Sequence, residues 1–254
     1  MPVTEERPPD RSEQVRRLFQ PVLDLIFPPR CVVCGRLGDE LCTRCLATFS
    51  PLGSSICRVC GVALPTPGLC WHCRTQPPAF TRVRSAFHYE DGLRRAIHAF
   101  KYEGHRTLAV PLAAAMARVL PPPPTAALLC AVPLSPAREA ERGYNQAELL
   151  ARELARCWGA RPAPQGALRR VRETLPQVEL DYRTRQENVA GAFTARSAQV
   201  RDATIILVDD VCTTGATLNA CSEALLKGGA CSVSAVTLAR ATFKPAGYGS
   251  VADL

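Results

Sequence analysis

Eight of the 13 cysteines lie between Cys31 and Cys73, and all eight fall in Cys-x-x-Cys pairs. Their spacing is Cys31-x2-Cys34-x7-Cys42-x2-Cys45, an eleven-residue gap, then Cys57-x2-Cys60-x9-Cys70-x2-Cys73. Two thiolates three residues apart on a tight turn can share one metal ion, and Gly35 and Gly61, directly after two of the pairs, supply the backbone freedom such turns need. Eight thiolates fill two tetrahedral sites and leave no coordination position open. This predicts two structural Zn2+ ions, with redox chemistry as the minor reading of the same pairs. Sequential pairing gives each ion its own short hairpin, while interleaved pairing satisfies the same count. His72, inside the last pair, is either a competing ligand or a turn residue.

A second constellation lies near the other end of the chain, in Ile205-Ile206-Leu207-Val208-Asp209-Asp210-Val211-Cys212-Thr213-Thr214-Gly215-Ala216-Thr217. An apolar run reads as a buried strand, two adjacent carboxylates follow, and a hydroxyl- and glycine-rich loop leads into a helix. The free N–H groups and dipole of a helix N-terminus favour a phosphate, and Thr213, Thr214 and Thr217 add hydroxyl donors. Asp209 and Asp210 can accept hydrogen bonds from sugar hydroxyls beside it. A loop with both capacities suits a ribose phosphate. An ordinary strand-to-helix turn explains one acid and one hydroxyl but not the whole string. No Gly-x-x-x-x-Gly-Lys-Ser/Thr and no Gly-x-Gly-x-x-Gly occurs, which argues against a Walker-type ATPase and a dinucleotide fold.

These groups need a scaffold, and the pattern between them alternates. Strands are expected over residues 83–89, 127–133, 204–208 and 232–238. Helices are expected over 92–102, 108–120 and from about 214 to 227. Tyr144, Ala147, Leu150, Ala151, Leu154 and Trp158 fall on one further helix face. Alternating strands and helices predict an α/β fold with a mostly parallel sheet and helices on both faces. Residues 165–188 lack periodicity and read as a long mobile loop. Apolar residues between Leu18 and Ile26 suggest a short N-terminal helix.

The chain has 254 residues, 47% hydrophobic and 21% charged, which excludes wholesale disorder. No apolar run is long enough for a membrane span, and the opening residues lack the pattern of a signal peptide, so a cytoplasmic location is expected. The formal charge of +8 points to a polyanionic partner, but 28 of the 31 basic residues are arginine, as a compositional bias would also give.

The string from Ile205 to Thr217 resembles the thirteen-residue motif that binds phosphoribosyl pyrophosphate (PRPP) in type I phosphoribosyltransferases. Further stretches narrow the resemblance: Phe100-Lys101-Tyr102-Glu103-Gly104; Val132-Pro133-Leu134 with Arg138 and Arg142-Gly143-Tyr144-Asn145-Gln146-Ala147; and Thr174, Gln177, Arg185, Asn188-Val189 and Gly191-Ala192-Phe193. Together with the cysteine module they resemble the ComF family of competence proteins. The resemblance implies a disordered tail over 1–17, a helix and double zinc ribbon over 18–78, a type I phosphoribosyltransferase fold over 79–241, and a flexible tail over 242–254. It implies that Asp209 and Asp210 hold the ribose hydroxyls of PRPP and that Thr213, Thr214, Gly215, Ala216 and Thr217 cradle its 5-phosphate. Arg138 and Arg142 would act on the departing pyrophosphate, with Mg2+ bridging it. Lys101 is a weaker candidate, and Arg183 and Arg185 would belong to a closing loop or to solvent. The implied role is the handling of single-stranded DNA in natural transformation, with a competence helicase and recombination proteins as partners. The competing readings are a salvage enzyme that joins a free base to PRPP and a non-catalytic nucleic-acid scaffold. Metal analysis of protein purified without chelator should return two zinc ions per chain, and one or none would overturn the double-site reading.

Overall fold

The computed structural model describes residues 28–173 and 188–241. The expected N-terminal helix, both expected tails, and Thr174, Gln177, Arg183 and Arg185 lie outside the described residues. The cysteine module contains two single helical turns, α1 (Thr43–Leu46) and α2 (Trp71–Thr75). Strand β1 (Val83–His88) follows, then α3 (Asp91–Tyr102), a 3-10 turn at Arg106–Leu108 and α4 (Ala109–Val119). Next come β2 (Leu128–Ala131), α5 (Pro136–Arg142), α6 (Gln146–Trp158), β3 (Arg161–Pro162) and β4 (Leu168–Arg170). The remainder comprises β5 (Phe193–Ala195), α7 (Ser197–Val200), β6 (Thr204–Cys212), α8 (Ala216–Lys227) and β7 (Ser232–Arg240). Among the described residues no helix is long and apolar enough to cross a membrane.

Five strands form one parallel sheet in the order β1-β7-β6-β2-β3, and β4 and β5 form a separate antiparallel pair. Alternation along the central strands divides the core. Ile205, Leu207, Val233 and Ala235 pack with Leu218, Cys221 and Leu225 of α8, whereas Val208 and Leu238 pack with Phe100 of α3, Leu112 of α4 and Leu150 of α6. Each face of the sheet thus has its own apolar cluster, as a doubly covered parallel sheet requires.

Besides the short elements β3, α5 and α7, which no periodicity announced, the structure departs from the sequence pattern in its strand ends and in one hairpin. Strands β6 and β7 run on past their apolar runs, because their ladder continues through Val211 with Ala239 and Cys212 with Arg240. Carboxylates end an apolar pattern, but backbone pairing does not depend on side-chain polarity. Residues 168–170, expected within a long loop, instead pair with 193–195, and only Leu168 and Phe193 of that hairpin are buried hydrophobics. Three-residue strands carry too few alternations to be seen as periodic.

The cysteine module lies along the free edge of β1. The N–H of Leu52 donates to the Ala86 carbonyl at 3.1 Å, His88 donates to Ser50 at 2.9 Å, and Val83 donates to Val59 at 2.7 Å. The module straddles this edge. Cys31, Leu41, Cys45 and Phe49 join the cluster of α3, α4 and α6, and Cys57, Cys60, Cys73 and Phe80 join that of α8. At Gly61, with φ of +70°, an added Cβ would stand 2.8 Å from the Val83 carbonyl oxygen, so only glycine permits this approach.

A corner between β2 and α6 orients the face that matters most below. Gly143 closes α5 in the left-handed conformation, at φ of 75°. Buried Asn145 then caps α6: its Oδ1 accepts from the Ala147 N–H at 2.9 Å and its Nδ2 donates to the Val132 carbonyl at 3.0 Å. Asn145→Ala removes a cap and leaves a buried carbonyl unpaired, so it should cost about 1–3 kcal/mol. Urea denaturation should show a lower midpoint at an unchanged slope.

Candidate functional site: two thiolate clusters and a phosphate cleft

The eight paired cysteines gather into two sets, Cys31, Cys34, Cys42, Cys45 and Cys57, Cys60, Cys70, Cys73, and within each set the ligand atoms all lie within 4.8 Å of one another. The sequential arrangement is therefore the one the chain adopts. Zinc–sulfur bonds of about 2.3 Å in a tetrahedron place neighbouring sulfurs about 3.8 Å apart. Cys34 Sγ and Cys42 Sγ are 3.8 Å apart, and Cys60 Sγ and Cys70 Sγ are 3.7 Å apart. Burial opposes charge on Cys31 and Cys57. Backbone N–H groups, from Cys42, Cys34 and Val33 in the first case and from Cys70, Cys60 and Val59 in the second, nevertheless hold each thiol down to about 6. Burial and crowding by the neighbouring sulfurs push Cys45 and Cys73 up instead. Each cluster thus prefers some thiolate and resists more without a cation at its centre. The donor sets fit structural Zn2+. His72 lies outside both sets.

The second site forms where β2 ends beside β6. The two strands pair in parallel from Leu128 with Ile205 to Ala131 with Val208, and β6 then runs on through Asp209 and Asp210 while the chain after β2 turns away. A crevice outside the carboxyl ends of parallel strands is the usual ligand position in such sheets. Here a cavity of about 910 Å³ opens, lined by Asp209, Asp210, Thr213 and Thr217 from the β6 side and by Val132, Pro133, Leu134, Arg138 and Arg142 from the β2 side. Helix α3 closes it with Arg94, Arg95, His98, Lys101 and Tyr102, and β4 adds Arg170.

Each of these groups is held. Ser135 caps α5 by accepting the Arg138 N–H at 3.4 Å. Arg142 Nη1 donates to Gln146 Oε1, and its guanidinium lies 5.1 Å from the Tyr102 ring centre. The Tyr144 hydroxyl donates to the Phe100 carbonyl, fixing the turn of α3 that carries Lys101. Arg106 braces the same corner by stacking 4.7 Å over Tyr144 and donating to the Gly143 carbonyl at 2.7 Å. Gly215, at φ of 85°, turns the loop into α8 and, as its N-cap, offers no capping side chain. The Thr214 hydroxyl accepts the Ala216 N–H at 3.3 Å.

The electrostatics favour an anion. Six cationic side chains and three carboxylates line the cavity. Burial, then the charge of Arg138, pulls the Arg170 guanidinium below its usual range. Lys101 Nζ lies 2.9 Å from Asp210 Oδ2, and both are largely buried. Burial works against the Lys101 ammonium, but Asp210 and then Asp209 raise its pKa overall. Asp209 has no such partner, and burial together with the charge of Asp210 pushes it up to about 7. Its Oδ1 accepts the Asp210 N–H at 2.8 Å.

The structure brings Arg138, Arg142, Asp209, Asp210, Thr213 and Thr217 to one space. Thr214, Gly215 and Ala216 line a second cavity of about 510 Å³ behind the loop, facing the second cysteine cluster. Arg94, Arg95 and Arg170 were not singled out by sequence reasoning, and Tyr102 and Gln146 entered it only as motif positions without a role. For Arg94, His98 and Lys101 a signal existed, since helical spacing places them together, away from buried Leu93, Ala96 and Phe100. Arg170 had none, lying in a stretch without periodicity.

Comparison with known proteins agrees with this geometry. Residues 22–74 match the double zinc ribbon domain, and residues 106–252 match the phosphoribosyl transferase domain. Competence protein F of Haemophilus influenzae is 32% identical over 228 residues, covering 85% of this chain and 98% of the relative. Competence protein ComFC of Bacillus subtilis is 30% identical over 213 residues, covering 80% and 85%. The DNA utilization protein YhgH of Salmonella typhi is 33% identical over 193 residues, covering 73% and 84%. With its two thiolate clusters joined to a phosphoribosyltransferase sheet, the chain belongs to the ComF family of competence proteins.

Proposed function

We propose that the cleft at the ends of β2 and β6 binds PRPP and that the protein uses this site in handling incoming single-stranded DNA. The observation that carries the reading is the convergence of Asp209, Asp210, Thr213 and Thr217 with Arg138 and Arg142 on one cavity. The loop of Thr213, Thr214, Gly215, Ala216 and Thr217 would receive the 5-phosphate at the α8 N-terminus. Asp209 and Asp210 would accept from the ribose hydroxyls, with Lys101 moving from Asp210 toward the phosphates as the sugar takes its place. Arg138 and Arg142 would stabilise the charge that builds on pyrophosphate as its bond to the anomeric carbon breaks. Mg2+ accompanying PRPP would add further neutralisation of that charge, with Glu141, Asp209 and Asp210 as the carboxylates of the cavity suited to hold it. No protein nucleophile is needed, because positioning and charge stabilisation do the work. The names of the relatives, competence protein and DNA utilization protein, support the DNA role, and the arginine-rich cleft mouth suits a phosphate backbone.

Isothermal titration should show magnesium-dependent PRPP binding, and Asp210→Asn should weaken it about tenfold or more. Equal affinity in the variant would mean that the loop is only a turn. Asp209 gives a pH signature. The folded state holds a proton on this group up to about 7, whereas an unfolded carboxyl loses it near pH 4. Free-protein stability from this group therefore falls between about pH 4 and 7 and is flat above, while the acceptor form needed by a ribose hydroxyl accumulates. PRPP affinity should rise between about pH 6 and 8 in the parent protein, and Asp209→Asn should flatten that rise. Single-stranded DNA binding should weaken steeply with salt, more than PRPP binding does. In a naturally transformable host relying on this gene, its deletion should lower transformation and leave growth on salvaged bases unchanged. The opposite pattern would favour a salvage enzyme.

A further inference from the structure

Arg240, the last residue of β7, is 6% exposed, and it has no carboxylate partner among the ion pairs of the described residues. Its Nη1 donates instead to the Cys60 carbonyl at 2.9 Å and to Cys212 Sγ at 2.7 Å. Cys60 belongs to the second thiolate cluster, and Cys212 directly precedes the phosphate loop. A buried guanidinium without a counter-charge is costly. Four thiolates around Zn2+ leave a net charge of about −2, and a cluster so loaded would supply the missing compensation.

Two further contacts join the same parts. The Ala79 N–H donates to Asn219 Oδ1 of α8 at 2.7 Å. The Phe80 ring lies under Gly215, within 3.7 Å of where a Cβ would stand. Both residues follow the second ribbon in the chain, and the cavity behind the loop is walled by Cys60, Cys70 and Cys73 on one side and Thr213, Thr214 and Gly215 on the other. Among the described residues the first ribbon has no comparable link to the loop. Its cluster packs with α3, and its polar contacts run through Glu40 to His105 and Thr107.

We propose that Arg240 is a positioning residue that ties the second zinc ribbon to the phosphate loop, so that the geometry of residues 213–217 depends on metal at Cys57, Cys60, Cys70 and Cys73 and not on metal at the first cluster. The ribbon on this side is the buttress of the phosphate site. This inference deepens the PRPP reading but does not need it, because the loop's order can be measured without ligand.

The test compares the full chain with Arg240→Met, Arg240→Lys, Asn219→Ala, Cys31→Ser and Cys57→Ser. Amide hydrogen exchange is followed at residues 213–217, with zinc content measured in parallel. Exchange in this segment should quicken about tenfold or more in Arg240→Met while two zinc ions are retained, and Arg240→Lys, which keeps one cationic donor, should restore part of the protection. Cys57→Ser should quicken it with one zinc lost, and Cys31→Ser should lose one zinc without quickening it. Unchanged exchange in Arg240→Met with both ions bound, or equal effects of the two cysteine variants, would overturn the proposal. If Arg240→Met does not fold, Asn219→Ala makes the same comparison: faster exchange at 213–217 supports the buttress and unchanged exchange overturns it. PRPP titration of the same set should show losses in the same order. Absence of binding in the parent protein would count against the PRPP reading alone.

Discussion

The pairing of β6 between β7 and β2 is the constraint on which the rest of the molecule depends. Its register with β2 sets the end of one strand beside the start of the loop that carries Arg138 and Arg142. Its register with β7 sets Cys212 beside Arg240. Because its side chains alternate between two buried faces, a one-residue slip would drive Asp209 and Asp210 into the wrong clusters and is strongly disfavoured. The pleat that fills both cores therefore also aims the carboxylates.

The cleft is assembled out of balance, with more positive charge than it can compensate internally. Arg170 is held near Arg138, and Lys101 is paired with Asp210. Asp209 is left as a half-buried carboxyl whose ionisation is opposed by desolvation and by the charge of Asp210. Like-charged guanidiniums held close together cost stability in the free protein, and a polyanion bound among them would recover part of that cost.

Much of this was legible in the residues themselves. Four Cys-x-x-Cys pairs show their chemistry through spacing alone, because the ligand geometry is local, and the string from Ile205 to Thr217 shows its chemistry because strand, acids and loop are contiguous. What could not be read is what depends on contacts distant in sequence. The end of β6 at Cys212 is decided by β7, the ordered hairpin of Leu168–Arg170 by residues more than twenty positions later, and the burial of Arg240 by a cysteine near the start of the chain. Asn145 could be placed in a motif, but its two hydrogen bonds, accepted from Ala147 and donated to Val132, are visible only when β2 and α6 meet.

The placement of the cysteine module along β1 has a consequence for how the chain is protected before and during its use. A parallel sheet ending in an open strand offers a row of unpaired N–H and C=O groups to any extended segment nearby. Here that row is occupied by residues 50–52 and 59, and these residues keep their shape because the thiolate clusters on either side of them do. Metal supply thereby becomes a solubility determinant. A chain made under zinc starvation would lose the guard on its sheet edge along with its ribbons, and would offer that edge to its neighbours as an aggregation template.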